Sequence, residues 1–314
     1  MSDPLGLYQT FLRRLPAPGG GGAHRAIFAA GCLGAKAGVG AELVEADVRA
    51  HLPPGRRVVS DREIEEGVRA GFAEVKGTGV AGRPRRPAPA VAPGTFEQLA
   101  QKGAGTTEEA LRACSPTPLD FPDWEAGWRL LEALYGSEEL LFIADDKVPG
   151  RAGDTVRPAG EWIEILRRSG RVPWPKIVLN PLTGKPAPKK SGAGETLRGD
   201  GCVAAHRFAV LEMDKASMAE QLAFWAAVKL PVAALIHSGG KSLHGWVRVD
   251  CADASEWARD VAGRLFPAYF VPMGFDPACS NASRLSRMPG HVRADTGQVQ
   301  RLLYLAPDGR AVTG

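Results

Sequence analysis

His206-Arg-Phe-Ala-Val-Leu-Glu-Met-Asp214, Ile236-His-Ser-Gly-Gly-Lys-Ser-Leu-His244 and Gly274-Phe-Asp276 are three short pieces of one stretch of this 314-residue chain. Residues 208–211 are apolar, with β-branched and aromatic members, and read as a buried strand. Side chains alternate along a strand, so Glu212 and Asp214 project to the same side. A helix is expected over 217–229, with Met218, Leu222 and Trp225 at helical spacing and Pro231 beyond its end. Residues 232–237 read as a second strand, 238–241 as a tight turn and 242–249 as a third strand. That third strand puts Ser242, His244, Trp246 and Arg248 on one face. A second helix starts at Asp253, with Glu256 as capping partner and Trp257, Val261 and Leu265 one turn apart. A last strand fits 299–305. The order is β-α-β-β-α-β, that of a ferredoxin-like unit.

In that unit the first and third strands are antiparallel neighbours. The end of the first then lies beside the start of the third, which brings Glu212 and Asp214 next to Ser242 and His244. Asp276, after the second helix, returns to the same end. Clustered carboxylates repel, and neutralisation by Lys215, Arg207 or Arg248 is the plain explanation for them. The alternative is a divalent cation, since Mg²⁺ and Mn²⁺ take oxygen ligands and link carboxylates to a triphosphate. The Gly-Gly-Lys-Ser turn offers backbone N–H groups and Lys241 to phosphate. It is not a P-loop: Leu235 stands where the first glycine is required, and a strand follows instead of a helix.

Glu212-Met-Asp214, Ser242-Leu-His244 and Phe275-Asp276 resemble motifs I, II and III of the archaeo-eukaryotic primase (AEP) superfamily, in its phage- and plasmid-associated bacterial branch. The tail Ser283-Arg-Leu-Ser-Arg287 belongs to the same resemblance, which covers roughly residues 140–305. It implies an α+β fold, with an αβ module leaning on the ferredoxin- or RRM-like module. It implies DNA primase-polymerase activity: transfer of a nucleotide from an NTP or dNTP to start or extend a primer on single-stranded DNA. Glu212, Asp214 and Asp276 would hold two Mg²⁺ or Mn²⁺ ions. Ser242 and His244, helped by Lys241, would contact the incoming triphosphate, and Arg284 and Arg287 match basic residues that touch the nucleotide. His244 counts with the three acids as catalytic. The Arg284–Arg287 spacing requires a bend or a helical turn if both are to face the triphosphate. Motif I here is Glu-x-Asp, where many members have Asp-x-Glu or Asp-x-Asp, and the zinc cluster of many members is absent from the sequence. The resemblance leaves a replicative helicase open as a partner. A replication-initiator or defence protein that keeps the fold without polymerising is the competing class. A phosphate-binding ATPase is disfavoured by the failed P-loop.

The rest of the chain is read around that core. With 44% hydrophobic and 24% charged residues it has an ordinary globular composition, and a net charge of +4 permits an anionic partner without demanding one. Five scattered cysteines without Cys-x-x-Cys spacing fit a reducing cytoplasm. No secretory signal is evident, and no apolar run is long enough to span a membrane. Residues 1–76 read as a small helical domain that resembles the helical domain associated with primases. Residues 77–95, rich in Gly and Pro, read as a basic linker, and 96–314 as the catalytic domain. Trp124 and Trp128 read as core. The loop 180–200 carries Lys185, Lys189, Lys190 and Arg198, which are positioned to track template or primer phosphates. His206, His237 and His291 carry no motif and read as structural.

Overall fold

The computed structural model describes residues 3–18, 23–55, 57–75, 90–189, 192 and 194–313. The chain divides into two compact units, Met1–Arg85 and Arg86–Gly314.

The first unit contains helices α1 (Pro4–Leu12), α2 (Ala23–Lys36), α3 (Ala41–His51) and α4 (Asp61–Val75). Asp3 caps α1, accepting from the Gly6 N–H, and Pro4 occupies the first helical turn. Tyr8, Leu12, Ile27, Val44, Val48, Ile64 and Val68 form its core. The α2–α4 crossing depends on two glycines. A Cβ at Gly31 would lie 2.6 Å from the Val68 carbonyl oxygen, and one at Gly71 would lie 2.4 Å from that of Phe28.

The expected linker falls outside the described residues as far as residue 89. Residues 90–95 are already part of the second unit: the Ala90 N–H donates to the Ala268 carbonyl at 2.7 Å, and Val91 packs on the core. Helices α5 (Thr95–Lys102), α6 (Glu108–Ala113) and α7 (Ala126–Leu134) follow. Leu130, Leu131 and Leu134 of α7 are buried, but Trp124 is exposed and Trp128 only half-buried, stacked between Arg129 and Arg167. Trp124 is therefore not core, and Trp128 packs only at the core's margin, because the buried face of α7 is carried by its leucines.

Next come β1 (Leu140–Ala144), β2 (Val156–Pro158), α8 (Ala159–Ser169) and β3 (Lys176–Val178), then the short pair β4 (Ala187–Pro188) and β5 (Glu195–Thr196). The βαββαβ run is β6 (His206–Glu212), α9 (Met218–Ala227), β7 (Val232–His237), β8 (Leu243–Cys251), α10 (Ala254–Glu256) and, after β9 (Leu285–Arg287), β10 (Arg301–Arg310). Helix α10 continues with wider, π-type winding through Trp257–Phe270 and contains Pro267. The chain leaves that helix at Gly274, whose φ of +95° is the left-handed turn that brings Phe275 and Asp276 back to the end of β6. There the Asp276 N–H donates to the Glu212 carbonyl at 2.9 Å.

The fold class is α+β, as expected. Among the described residues two four-stranded sheets form, in the orders β2-β1-β3-β9 and β10-β7-β8-β6. The first and third strands of the βαββαβ run, β6 and β8, are antiparallel neighbours. In a ferredoxin-like order the last strand would also sit beside the first; here β10 pairs with β7 instead. The reason lies at the outer edge of β6, which Asn180 occupies. The Asn180 amide oxygen accepts from the Arg207 and Phe208 N–H groups, and its NH₂ donates to the Phe208 and Ala282 carbonyls, all at 2.9 Å. One buried amide thus stands in for a strand. On the other face of β8, Gly245 lets α9 approach, since a Cβ there would lie 2.1 Å from the Trp225 ring.

The two sheets meet where β9, the edge of the first, lies against β8 of the second. The Trp246 Nε1–H donates to Ser286 Oγ at 2.7 Å across that join.

Asn180→Leu should destabilise the second unit by about 3 kcal/mol or more, because each buried backbone group left unpaired costs about 1–3 kcal/mol. Urea unfolding measures it; a change under about 1 kcal/mol would show that the β6 edge finds other partners.

Candidate active site

The β6–β8 register sets Glu212 directly opposite His244. Glu212 Oε1 accepts from the Ser242 hydroxyl at 3.1 Å and lies 3.2 Å from His244 Nε2. Its other oxygen is 3.8 Å from Arg284 Nη2. Asp276 shares that guanidinium at 2.9 Å through Oδ2, while its Oδ1 accepts from the Ala278 N–H at 2.9 Å and caps the turn after it. Asp214, 55% exposed, lies 3.7 Å from Lys241 Nζ, which is 76% exposed.

These groups border a polar cavity of about 580 Å³. Its lining includes Glu212, Asp214, His244, Arg284 and Arg287 from the expected set. Ser242 is buried behind Glu212, and neither it, Lys241 nor Asp276 is among the lining residues. The opposite wall comes from the first sheet and its loops: Asp146, Lys176 and Arg198. Lys176 Nζ pairs with Asp146 Oδ2 at 2.8 Å.

Burial opposes the charge on Glu212. The hydrogen bonds from His244 and Ser242, and the Arg284 guanidinium, outweigh it and hold the carboxyl below the usual carboxylate range. Glu212 is therefore ionised throughout the physiological range. His244 is pushed the other way: its complete burial lowers its pKa against the pull of Glu212, so the ring is neutral at neutral pH. The hydrogen-bond network assigns its tautomer. The indole of Trp246 can only donate, so Ser286 Oγ accepts from it. The Ser286 proton then goes to His244 Nδ1, 3.4 Å away, which leaves the Nε2–H for Glu212. Arg287 Nε, 3.4 Å from Nε2, is then a charge beside the ring and not a hydrogen-bond donor to it.

The expected turn is present. Gly239 has a φ of +68°, and the Ser238 N–H donates to the Ser242 carbonyl at 2.9 Å. The N–H groups of Gly239, Gly240 and Lys241 make no hydrogen bond among the described residues; Gly240 and Lys241 are exposed, while Gly239 is buried. Arg284 and Arg287 reach the same cavity in neither a helical turn nor a single strand face. Arg284 precedes β9 and Arg287 ends it, so the bend at the strand's entry aims Arg284 back at Asp276.

The loop lysines stand apart. Lys185 and Lys189 are exposed on the surface, and Lys190 lies outside the described residues. Arg198 instead packs 4.9 Å over the Phe142 ring, donates to the Asp146 carbonyl at 2.5 Å, and forms part of the cavity wall. His237 is 3.6 Å from Glu108, and His291 contacts the Val172 carbonyl at 2.9 Å; both serve as structural links.

Among the described residues, no group of three or more His, Cys, Asp or Glu side chains is gathered as a metal cluster. The donor chemistry nonetheless suits a hard divalent cation. Glu212 and Asp276 converge on one positive group, Glu212 is ionised, and Asp214 stands two residues on at the cavity wall.

Sequence reasoning missed Ser286, Lys176, Asp146 and Gln221. Ser286 sits inside the quoted tail, and its position between two arginines was the available signal. Gln221 carried none, for it reads as one polar residue on a helix. It is buried, and it joins the two segments that bear the site. Its Nε2 donates to the Ala216 carbonyl at 2.8 Å and the Lys241 carbonyl at 2.9 Å, while its Oε1 accepts from the Leu243 N–H at 2.8 Å. The helix presenting it is fixed by a full capping box, Ser217 with Glu220.

Gln221→Met should keep the fold, lower stability by about 1–3 kcal/mol and accelerate amide exchange at Leu243. Gln221→Glu should lose both donated bonds while still accepting from Leu243. Unchanged exchange at Leu243 in the Met variant would mean that the turn holds itself.

No protein-family model matches this sequence, and no curated protein sequence matches it. Among solved structures, the chain is similar to the AEP domain of the cyanophage S-2L primase-polymerase, with 20% identity and a TM-score of 0.39 over 60% of this chain and 94% of that one. It is also similar to the primase RepB′, with 19% identity and a TM-score of 0.36 over 60% of this chain and 59% of that one.

Proposed function

We propose that this chain is a primase-polymerase of the AEP superfamily that transfers a nucleotide from an NTP or dNTP to a primer 3′ end, or to a first nucleotide, on single-stranded DNA. The observation that carries the reading is the pairing of Glu212 with His244 and Ser242 at the base of a polar cavity whose rim bears Arg284 and Arg287. It joins carboxylates, which suit cations, to an arc of donors, which suits a triphosphate. Neither half accounts for the other in a purely structural role.

The reaction is in-line attack of a hydroxyl on the α-phosphate with loss of pyrophosphate, and the protein's contribution is positioning and charge. Glu212, Asp214 and Asp276 are the residues that would hold Mg²⁺ or Mn²⁺, which when bound activates the attacking hydroxyl and neutralises the leaving pyrophosphate. Arg284 and Arg287 supply fixed positive charge to phosphate oxygens in a partly desolvated wall, where charge–charge attraction exceeds its value in water. Lys241 and the free N–H groups of the turn add donors from β8's entry. His244, held neutral and with its Nε2–H committed to Glu212, fixes that carboxylate's orientation. Lys176 and Arg198 extend the basic wall toward the path of a nucleic-acid strand. The helical domain is assigned the template or the initiating nucleotide, which must be held without a duplex when a chain is started. A replicative helicase is a further partner compatible with this role.

The deciding experiment is incorporation of labelled ribo- and deoxynucleotides on single-stranded DNA with Mn²⁺ or Mg²⁺, with and without a primer. DNA and nucleotide binding without incorporation would favour the non-polymerising initiator class. Asp214→Asn and Asp276→Asn should each lower incorporation by about 100-fold or more. Asn at 276 can still accept from the Ala278 N–H, so unfolding should stay within about 1 kcal/mol of the parent. A variant with the parent rate removes that carboxylate from the cation site.

Arg287→Met should raise the KM for nucleotide by about tenfold while single-stranded DNA affinity changes little. The reverse pattern, read by steady-state kinetics and fluorescence anisotropy, would move Arg287 to the template path.

A further inference from the structure

Beside the main cavity lies a second one of about 300 Å³, lined by Asp200, His206, Trp257, Ala258 and Ala282 among others. It stands at the lower limit of ligand-pocket size, suited to one small ring system. His206 begins β6 and is only 5% exposed. Its ring nitrogens make no hydrogen bond to any described residue, and they are not among the solvent-sealed polar atoms. They face open space instead of a protein partner. The open space these nitrogens reach is this cavity, where a ligand can satisfy them. Burial lowers the pKa of His206 against the raising influence of Asp253 and Asp200, so the neutral ring offers one donor and one acceptor.

The rest of the lining fits a flat heteroaromatic guest. Trp257, largely buried with its ring 5.9 Å from that of His206, adds an aromatic group to the lining, and its Nε1–H is already spent on the Ser280 carbonyl at 3.0 Å. Ala254, Ala258 and Ala262 leave room where larger side chains would fill it. Asp200 uses Oδ1 to accept from the Ser283 N–H and hydroxyl, at 2.9 and 2.7 Å. Its Oδ2 has no hydrogen-bond partner among the described residues and can accept from an exocyclic amine. Asn281 lines both cavities, and Ser283, which Asp200 holds, lines the main one. The second cavity is therefore separated from the proposed nucleotide site by one thin wall.

We propose that this cavity binds a single unstacked nucleobase, in contact with Trp257 and with its polar edge on His206 and Asp200. Bases taken out of a stack are bound in this way, by aromatic contact and by hydrogen bonds along one edge. The proposal rests on the primase-polymerase reading for the presence of nucleic acid nearby. It needs none of the residues assigned there to cations or phosphates.

The test uses the full chain. Ala258 is exposed on the cavity's lip, so Ala258→Leu fills the space without entering the core. His206→Leu removes the polar edge. Binding of a fluorescein-labelled single-stranded DNA, and separately of free dATP and dTTP with Mn²⁺, is measured for the parent and both variants. Base stacking predicts a loss of about tenfold on filling the cavity. Loss confined to the DNA arm identifies a base of the strand, and an abasic site placed at the responsible position should then weaken the parent but not Ala258→Leu. Loss confined to the free-nucleotide arm identifies the base of a bound nucleotide. Parent-like affinity of Ala258→Leu in both arms overturns the proposal. Failure of the wild-type chain to incorporate nucleotides, by contrast, bears on the primase-polymerase reading and is scored separately.

Discussion

The pairing of Glu212 with His244 across β6 and β8 is the constraint on which the site depends. A slip of one residue in that register would turn every side chain of β8 to the opposite face. His244 would leave the cavity, and Gly245, whose missing Cβ leaves room for Trp225 of α9, would no longer meet that ring. Core packing on one face of β8 therefore protects the chemistry on the other.

Around that pair the polar groups are arranged so that each has a defined proton. Trp246 donates to Ser286, Ser286 to His244, and His244 to Glu212. This relay crosses from one sheet to the other and back, so it also fastens the two sheets of the second unit. Its outcome is a carboxylate that stays charged despite burial, next to an imidazole that stays neutral because of it. Asn180 and Gln221 work by the same economy. Each is a buried amide that satisfies backbone groups no strand reaches, one at the edge of β6 and the other between the loop after Asp214 and the turn before Ser242. Such groups stabilise because every partner is present, and removal of one leaves several unpaired.

The electrostatic layout of the cavity follows from its two sources. The second sheet contributes acids at the end of β6 and in the loop after it, while the first sheet and its loops contribute Arg198, Arg284, Arg287 and the Lys176–Asp146 pair. A ligand that is itself anionic but carries cations matches both walls at once. Arg284 reaches across the boundary, touching Asp276 and approaching Glu212, and so links the charge states of the two walls.

The α+β class was legible through the family resemblance; the order of the βαββαβ run and the meeting of Glu212 with Ser242 and His244 were legible in the residues themselves. Those follow from local patterns: alternation in short apolar runs, helical spacing, and a Gly-Gly turn that makes β7 and β8 neighbours. The sequence also located Asp276 at the same end, because a helix after β8 must bring the chain back. Only the tertiary structure decided where the last strand goes, since that turned on Asn180, a residue whose edge-capping role depends on partners 27, 28 and 102 positions away. The same holds for Lys176 and Asp146 on the far wall, for Ser286 as the relay between sheets, and for Arg198, expected on a nucleic-acid loop and found against Phe142. Trp124 and Trp128 show the converse limit, for an apolar stripe states that a helix has a buried face but not how wide that face is. Periodicity encodes the face a residue takes within its own element. Which distant element covers that face is set by packing of the whole chain, and no local pattern records it.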